Sequence, residues 1–248
     1  MPFSIDDFSL PPSARQRRNP VAPAAPVKAP AGLDAAEFQI KVLMPNDIEG
    51  QTLAINIFRA IKQAHRAWQS TATLIGVTVT SVTASGGTIV GPPLTPLIIA
   101  ALPGKNASEQ KLVKAVATVV GNTWFLFTST VRVPGLPWYP AFAAVPSPVA
   151  PPMPNVPTPF AALTQVPGLI SVGVMKPQVM AQLAPDKSAE KVVDAALRAF
   201  EQFILLWRTM TLVTNVLGTG PVPSFAPPFV PMGPVVGGVG NMTPGGFA

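Results

Sequence analysis

The sequence predicts an α+β fold, in which three amphipathic helices pack on short, mainly antiparallel strands. Apolar residues recur at helical spacing in three segments, and each segment ends at a tryptophan. A Thr-x-Thr segment typical of a strand follows each tryptophan, and glycine and a proline-rich stretch come next. We interpret the three copies as a degenerate helix–Trp–strand–Pro repeat without a fixed period.

Apolar stripes and starting signals define the three helices. The predicted helices are residues 52–68, 107–124 and 187–207. Their stripes are Leu53, Ile57, Ile61 and Trp68; Leu112, Val116, Val120 and Trp124; and Val193, Ala196, Phe200, Phe203, Ile204 and Trp207. Asn106 and Glu109 have the spacing of a capping box ahead of the second helix. Pro185 and Asp186 mark the start of the third.

Strands are predicted directly after the tryptophans. In the first copy, valines alternate with threonines, namely Val77, Val79 and Val82 with Thr78, Thr80 and Thr83. Residues 127–133, FTSTVRV, alternate in the same way and predict a strand after Trp124. A sheet with valine on one face and threonine on the other has one buried side. Its other side is polar but uncharged, which is typical of a surface that a second protein covers.

Composition divides the chain into three parts. Residues 1–35 are predicted to be an extended, proline-rich N-terminal arm, and residues 229–248 a Gly/Pro-rich C-terminal tail that also extends as an arm. Residues 36–228 between them form the α+β structural domain with its three helix–Trp–strand units.

The chain carries too little charge to cover the surface of an ordinary monomer. Of its 248 residues, 11% are charged, whereas a typical soluble domain has about 25%. Residues 67–104, 133–175 and 209–248 contain no Asp, Glu, Lys or Arg. Much of this surface is therefore expected to be buried against another molecule. Prolines and glycines interrupt each stretch, so none predicts a spanning helix of about 20 residues, and we do not expect a membrane partner.

No pattern in the sequence predicts catalysis, a cofactor or a metal. His65 is the only histidine and the chain has no cysteine, so one chain cannot build a cluster of these ligands. We expect His65 to lie on a helix surface or to pack in the core. The carboxylates of the third helix, Asp186, Glu190, Asp194 and Glu201, are interpreted as its solvated face. We therefore predict a protein that is not an enzyme and has no small-molecule substrate.

Three arginines in the N-terminal arm supply a local positive charge. Arg15, Arg17 and Arg18 lie within four residues of one another. They either contact packaged nucleic acid or an acidic partner surface, or form a solvated basic patch. We favour the solvated patch, so nucleic acid is not an expected partner.

The repeat as a whole resembles small virion structural proteins of tailed bacteriophages. Residues 68–93, 124–146 and 207–228 carry the resemblance, as Trp, Thr-rich strand, GT or Gly turn and Pro/Phe-rich segment. It implies a non-enzymatic structural subunit of the tail, baseplate or neck, made in the host cytoplasm and located in the virion. Its implied partners are other virion structural proteins, with copies of the chain itself left open.

Two alternatives remain at this point, a capsid decoration or cement protein and a membrane-associated or secreted surface protein. Each would use the same apolar, uncharged stretches against a different partner. The candidate subunit contacts are Arg15, Arg17, Arg18, Arg132, Trp138, Tyr139, Phe225 and Phe229.

Overall fold

In a computed structural model of the chain, three helices of 24 residues each dominate the fold. The structure describes residues 35–139, 149–183, 185–222, 225–226, 230–231 and 235–248. Within these ranges the helices are α1 (Ala35–Leu43), α2 (Ile48–Thr71), α3 (Leu94–Ala101), α4 (Ala107–Thr130), α5 (Val172–Met180) and α6 (Lys187–Met210). The long helices α2, α4 and α6 are the three that the apolar stripes predict. Together with an antiparallel sheet, they confirm the α+β class.

Each long helix begins at a side chain that caps it. The backbone N–H of Gly50 donates to Asp47 Oδ1 at 2.8 Å, and that of Ser188 donates to Asp186 Oδ1 at 2.8 Å. The N–H of Glu109 donates to Asn106 Oδ1 at 2.9 Å, as the capping pattern predicts. In a capping box the Glu109 carboxylate would accept from the N–H of the cap residue Asn106. Here it accepts from the N–H of Lys105, one residue earlier.

The three long helices run in the same direction. Helix α2 packs against α3 and α6, α3 packs against α4, and α5 joins α4 to α6, which closes a ring of five helices. One cavity of about 430 Å³ is lined by the first turns of α2, α4 and α6 together. At the far end, the rings of Trp68, Trp124 and Trp207 lie 4.8 to 6.3 Å from one another. The starts of the helices therefore meet at one end and their tryptophans at the other.

Six strands form one antiparallel sheet. They are β1 (Thr73–Thr80), β2 (Thr83–Val90), β3 (Val133–Leu136), β4 (Val149–Pro154), β7 (Val216–Pro221) and β10 (Gly238–Met242), in the order β3-β2-β1-β10-β7-β4. Two short pairs complete the described strands, β5 (Thr158–Pro159) with β6 (Leu212–Val213), and β8 (Phe225–Ala226) with β9 (Val230–Pro231). Since strands follow α2, α4 and α6 within a few residues, the sheet adjoins the tryptophan end of the helices.

The tryptophans lie inside the helices and not at a helix–strand boundary. Helix α4 continues to Thr130, so the strand predicted from residues 127–133 is wrong over its first four residues. The hydroxyls of Thr128, Ser129 and Thr130 donate to carbonyls three or four residues earlier in the chain. These bonds satisfy the hydroxyls within the helix, and Phe127 is fully buried, so packing outweighs the β-propensity of the segment.

The C-terminal residues belong to the domain, which corrects the prediction that residues 229–248 are an extended tail. Strand β10 lies in the middle of the sheet, paired with β1 on one side and β7 on the other. Phe247 is buried and stacks on Trp68 with ring centroids 5.8 Å apart. Glycine is required at Gly240, because a Cβ there would lie 2.8 Å from Tyr139 Oη. A strand built on such glycines has no hydrophobic alternation from which to predict it.

Helix α4 is the one helix among the described residues that is long and apolar enough to cross a membrane on length and composition alone. About two thirds of its most apolar window is buried inside the protein, at 67%. Buried helices of globular cores commonly meet the same criteria, so this is weak support for a membrane span.

Candidate functional site

One face of the six-stranded sheet is open to solvent and carries no charge. In β1, Leu74, Val77 and Val79 are buried, whereas Thr78 and Thr80 are exposed, which confirms the predicted alternation as far as Thr80. Val82 is expected to continue it, but the chain turns at Ser81 and Val82, and Thr83 begins β2. We define the outer sheet face as the described residues Thr73, Ile75, Thr78, Thr80, Thr83, Ser85, Thr88, Val90, Leu217, Thr219, Val239 and Asn241. It consists of hydroxyls, aliphatic side chains and a single amide.

The middle of this face is a continuous row across four strands. Ser85 lies opposite Thr78, Thr78 opposite Val239, and Val239 opposite Thr219. With strands about 4.8 Å apart, the row is about 14 Å long. Asn241 fixes the surface next to it, because its Oδ1 accepts a 2.9 Å hydrogen bond from the N–H of Gly76. The face is thus a regular surface of uncharged polar and aliphatic side chains.

Both edge strands of the sheet contain proline. Strand β3 has Pro134, and β4 has Pro151, Pro152 and Pro154. The register of β4 against β7 shifts between Ala150 and Met153, where two of these prolines lie. Proline lacks the N–H that a further strand would need, so the edges are protected against strand addition. A partner of this sheet would therefore meet its face.

Charged side chains gather away from the sheet, toward the starts of the helices. Lys176 of α5 pairs with Glu190 at 3.0 Å and with Asp194 at 3.1 Å, and Arg198 pairs with Asp194 at 2.7 Å. Burial opposes ionisation of Asp194, but hydrogen bonds from Arg198 and Lys176 outweigh it and lower the pKa of this carboxyl. The solvated face predicted for the third helix is therefore partly paired with α5.

Toward the sheet, the charged residues among those described are arginines. Arg66, Arg132 and Arg208 lie near the ends of α2, α4 and α6, and no described acidic residue follows Glu201. Cations suit this position because the C-terminal end of a helix is the negative end of its dipole. Arg132 binds the end of α4 directly, because its Nη1 donates to the carbonyls of Ser129 and Val131 at 2.8 and 2.7 Å.

Beneath the sheet end of the helices lies an aromatic cluster with His65 at its centre. The ring centroids of Trp207, Trp124, Phe203 and Trp68 lie 4.7, 4.8, 5.2 and 5.7 Å from that of His65. His65 is fully buried, and neither ring nitrogen has a hydrogen-bond partner among the described residues. Burial lowers the pKa of His65 to about 3, so the imidazole is neutral at physiological pH.

This surrounding gives His65 a packing role, one of the two that the sequence left open. The ring is enclosed by indole and phenyl rings, and no carboxylate among the described residues orients it as a general base would require. The described residues also contain no group of three or more His, Cys, Asp or Glu side chains placed to hold a metal.

Two of the predicted contact residues are core residues. Trp138 and Tyr139 are 1% and 0% exposed, so their side chains cannot contact another subunit in this fold, and the prediction is wrong for both. Trp138 Nε1 donates to Thr158 Oγ1 at 2.9 Å, and Tyr139 Oη donates to the Val216 carbonyl at 3.0 Å. Each ring is buried at a chain crossing with its polar end satisfied. The burial of these two rings could not be predicted from their position in a proline-rich segment.

The other predicted contacts have different outcomes. Arg132 is exposed, so its prediction as a subunit contact stays open. Arg15, Arg17, Arg18 and Phe229 lie outside the described residues, as does the side chain of Phe225.

The sequence did not predict an apolar groove beside the sheet. It lies between the end of β2, the start of α3 and the second half of α4, and has a volume of about 450 Å³. Trp68 and Trp124 form its floor, and no charged residue lines it. We call it the tryptophan groove. No local signal could have revealed it, because its three walls come from separate parts of the chain.

No protein-family model, curated protein or solved structure significantly matches this chain.

Proposed function

We propose that this chain is a non-enzymatic structural subunit of a bacteriophage virion, a component of its tail, baseplate or neck. The outer sheet face is the surface through which it binds a neighbouring virion subunit. The observation that carries the proposal is that this solvent-facing sheet has no charged residue in any of its six described strands. The phage class itself rests on the resemblance of the helix–Trp–strand–Pro repeat.

An uncharged, hydroxyl-rich face is suited to permanent burial. Covering a charge costs several kcal/mol unless it finds a partner, whereas threonine and serine hydroxyls can rotate to meet a donor or an acceptor. The aliphatic members of the face, Ile75, Val90 and Val239, are each more than 40% exposed and gain by leaving water. The proline-containing edges direct association to the face and prevent open-ended growth of the sheet.

The size of the face indicates that it acts with other contacts. The four strands that contribute to it, spaced about 4.8 Å apart and with a mean length of about 22 Å, present about 400 Å². A stable interface commonly buries about 800 Å² on each partner. A subunit held in a particle would therefore use further surface in addition to the sheet.

The test is incorporation into virions of the phage that encodes the chain. Thr78→Lys places a charge in the middle of the outer sheet face, and Gln63→Lys places the same charge on an exposed position of α2 as a control. We expect mass spectrometry of purified particles to detect the wild-type chain and Gln63→Lys, with Thr78→Lys lost at least about tenfold. Both variants should fold, since exposed substitutions change stability by about 0.5 kcal/mol or less.

The outcomes separate the two parts of the proposal. A wild-type chain that is absent from purified particles overturns the virion function. Equal incorporation of Thr78→Lys and Gln63→Lys overturns the assignment of the outer sheet face.

A further inference from the structure

The tryptophan groove is an apolar, uncharged recess with an exposed hydrophobic rim. Its floor is formed by Trp68 and Trp124, and Val90, Pro93 and Phe125 lie along its rim. Phe125 is 70% exposed and Val90 is 49% exposed. Large side chains that remain this exposed beside a recess mark a surface at which another chain binds.

Two glycines allow the walls of the groove to approach its floor. A Cβ on Gly91 would collide with Trp68 Nε1, and a Cβ on Gly121 would collide with Thr95 Oγ1. The first glycine lets the chain between β2 and α3 lie directly on an indole, and the second lets α3 pack closely on α4. Close backbone packing therefore positions two walls of the recess.

The sequence of the chain contains a segment with matching chemistry. In residues 20–30, PVAPAAPVKAP, prolines stand at Pro20, Pro23 and Pro26, three residues apart, and again at Pro30. A polyproline II helix has three residues per turn, so the first three prolines would share one edge of it. Aromatic-lined grooves bind such helices because a proline-rich segment loses little conformational entropy when it docks.

We propose that the tryptophan groove of one copy binds residues 20–30 of a neighbouring copy. This contact rests on the proposed function as a structural subunit of a virion, and apart from Thr88 and Val90 it uses surface outside the outer sheet face. The segment is joined to α1 by residues 31–34, and the five steps from Pro30 to Ala35 can extend about 17 Å. The segment can thus enter the groove of a neighbouring copy when that groove lies within about 17 Å of the start of α1. Lys28 is the one charged residue of the segment, and the groove has no charged residue to pair with it, so the contact is predicted to depend little on salt.

Self-association of the full chain tests this contact. Phe125→Glu places a charge on the rim of the groove, and Leu126→Glu places it one residue further along α4, outside the groove but also exposed. A triple variant, Pro20→Ser with Pro23→Ser and Pro26→Ser, removes the proline edge. Sedimentation equilibrium over a range of concentrations gives the dissociation constant of each variant, with thermal unfolding as a check on folding.

We expect Phe125→Glu and the triple proline variant each to weaken self-association about tenfold or more, which corresponds to about 1.4 kcal/mol. The combined variant should self-associate no more weakly than either single variant, because both changes remove the same contact. Leu126→Glu should stay within about twofold of the wild-type chain.

Three results would overturn the groove contact. They are additive losses in the combined variant, an equal loss with Leu126→Glu, and a wild-type chain that remains monomeric at every concentration reached. The particle assay is independent of these results. If the chain is present in virions but the groove and proline variants are not coupled, only the groove contact is overturned. If the chain is absent from virions but the variants are coupled, only the virion function is overturned.

Discussion

His65 shows how one polar side chain can be kept inside an aromatic core. Its ring meets those of Trp124, Phe203 and Trp207 at interplanar angles of 76°, 90° and 84°, so the contacts are edge to face. Such geometry offers an imidazole N–H or C–H edge to an electron-rich ring face. It replaces only part of the hydrogen bonding lost from water, and a positive charge at this depth would have no counter-ion.

The first prediction concerns the pH dependence of stability. The unfolded chain protonates His65 below its ordinary pKa of 6.5, whereas the folded chain does so only near the folded pKa of about 3. The unfolded state therefore binds more protons between these values, and the free energy of unfolding falls as the pH falls through this window. We expect the protonation of His65 in the unfolded chain to lower the free energy of unfolding by about 1.4 kcal/mol for each pH unit from about pH 6 down to pH 4.

His65→Phe is the matched variant for this prediction. It keeps an aromatic ring of similar size and removes the titration, so the carboxylates titrate alike in both chains. Urea unfolding at several pH values should show the two stabilities diverging as the pH is lowered. Parallel curves would mean that His65 is not buried as the structure has it.

Among the elements, α2, α4 and α6 could be predicted from sequence and β10 could not. An apolar stripe and a cap such as Asn106 are local, so 10 to 20 residues contain the whole signal. Strand β10 depends on β1 and β7, which lie far away in the sequence, and on the ring of Tyr139 beneath Gly240. The outer sheet face could be predicted in part, because Thr78 and Thr80 alternate with buried valines, but its edges and the tryptophan groove could not.

The second prediction tests the place of β10 in the sheet. Gly240→Val should destabilise the protein by about 2–3 kcal/mol, because the new side chain would overlap Tyr139 Oη, which is fixed by its bond to the Val216 carbonyl. The neighbouring residue Val239 lies on the opposite face and is 47% exposed, so Val239→Ala should cost about 0.5 kcal/mol or less. Denaturant unfolding measures both. Small and equal changes in stability for the two variants would mean that these residues are an extended tail, as the composition predicted.

The chain as a whole is polarised along its long helices. Acidic caps and ion pairs occupy the starts of α2 and α6, and the uncharged sheet adjoins their ends. The aromatic cluster lies between the helix starts and the sheet. It connects elements from separate parts of the described chain. Phe247 contacts Trp68, and Gln69 both accepts from Trp207 Nε1 at 2.9 Å and donates to the Phe247 carbonyl at 2.8 Å. The last residues of the sequence are thereby joined to two of the long helices.

This connection predicts that helices and sheet unfold together. Trp124 is 2% exposed within the cluster, so Trp124→Ala should lower the free energy of unfolding by about 3–5 kcal/mol. Phe125→Ala removes an exposed ring from the next position of α4 and should change it by about 0.5 kcal/mol or less. Far-UV circular dichroism reports the helices, and fluorescence reports the surroundings of Trp68 and Trp207 in the cluster and of Trp138, which follows β3. Because one cluster supports both layers, the two probes should shift together to the same lower midpoint in Trp124→Ala, whereas separate midpoints would mean that the surroundings of these tryptophans unfold apart from the helices.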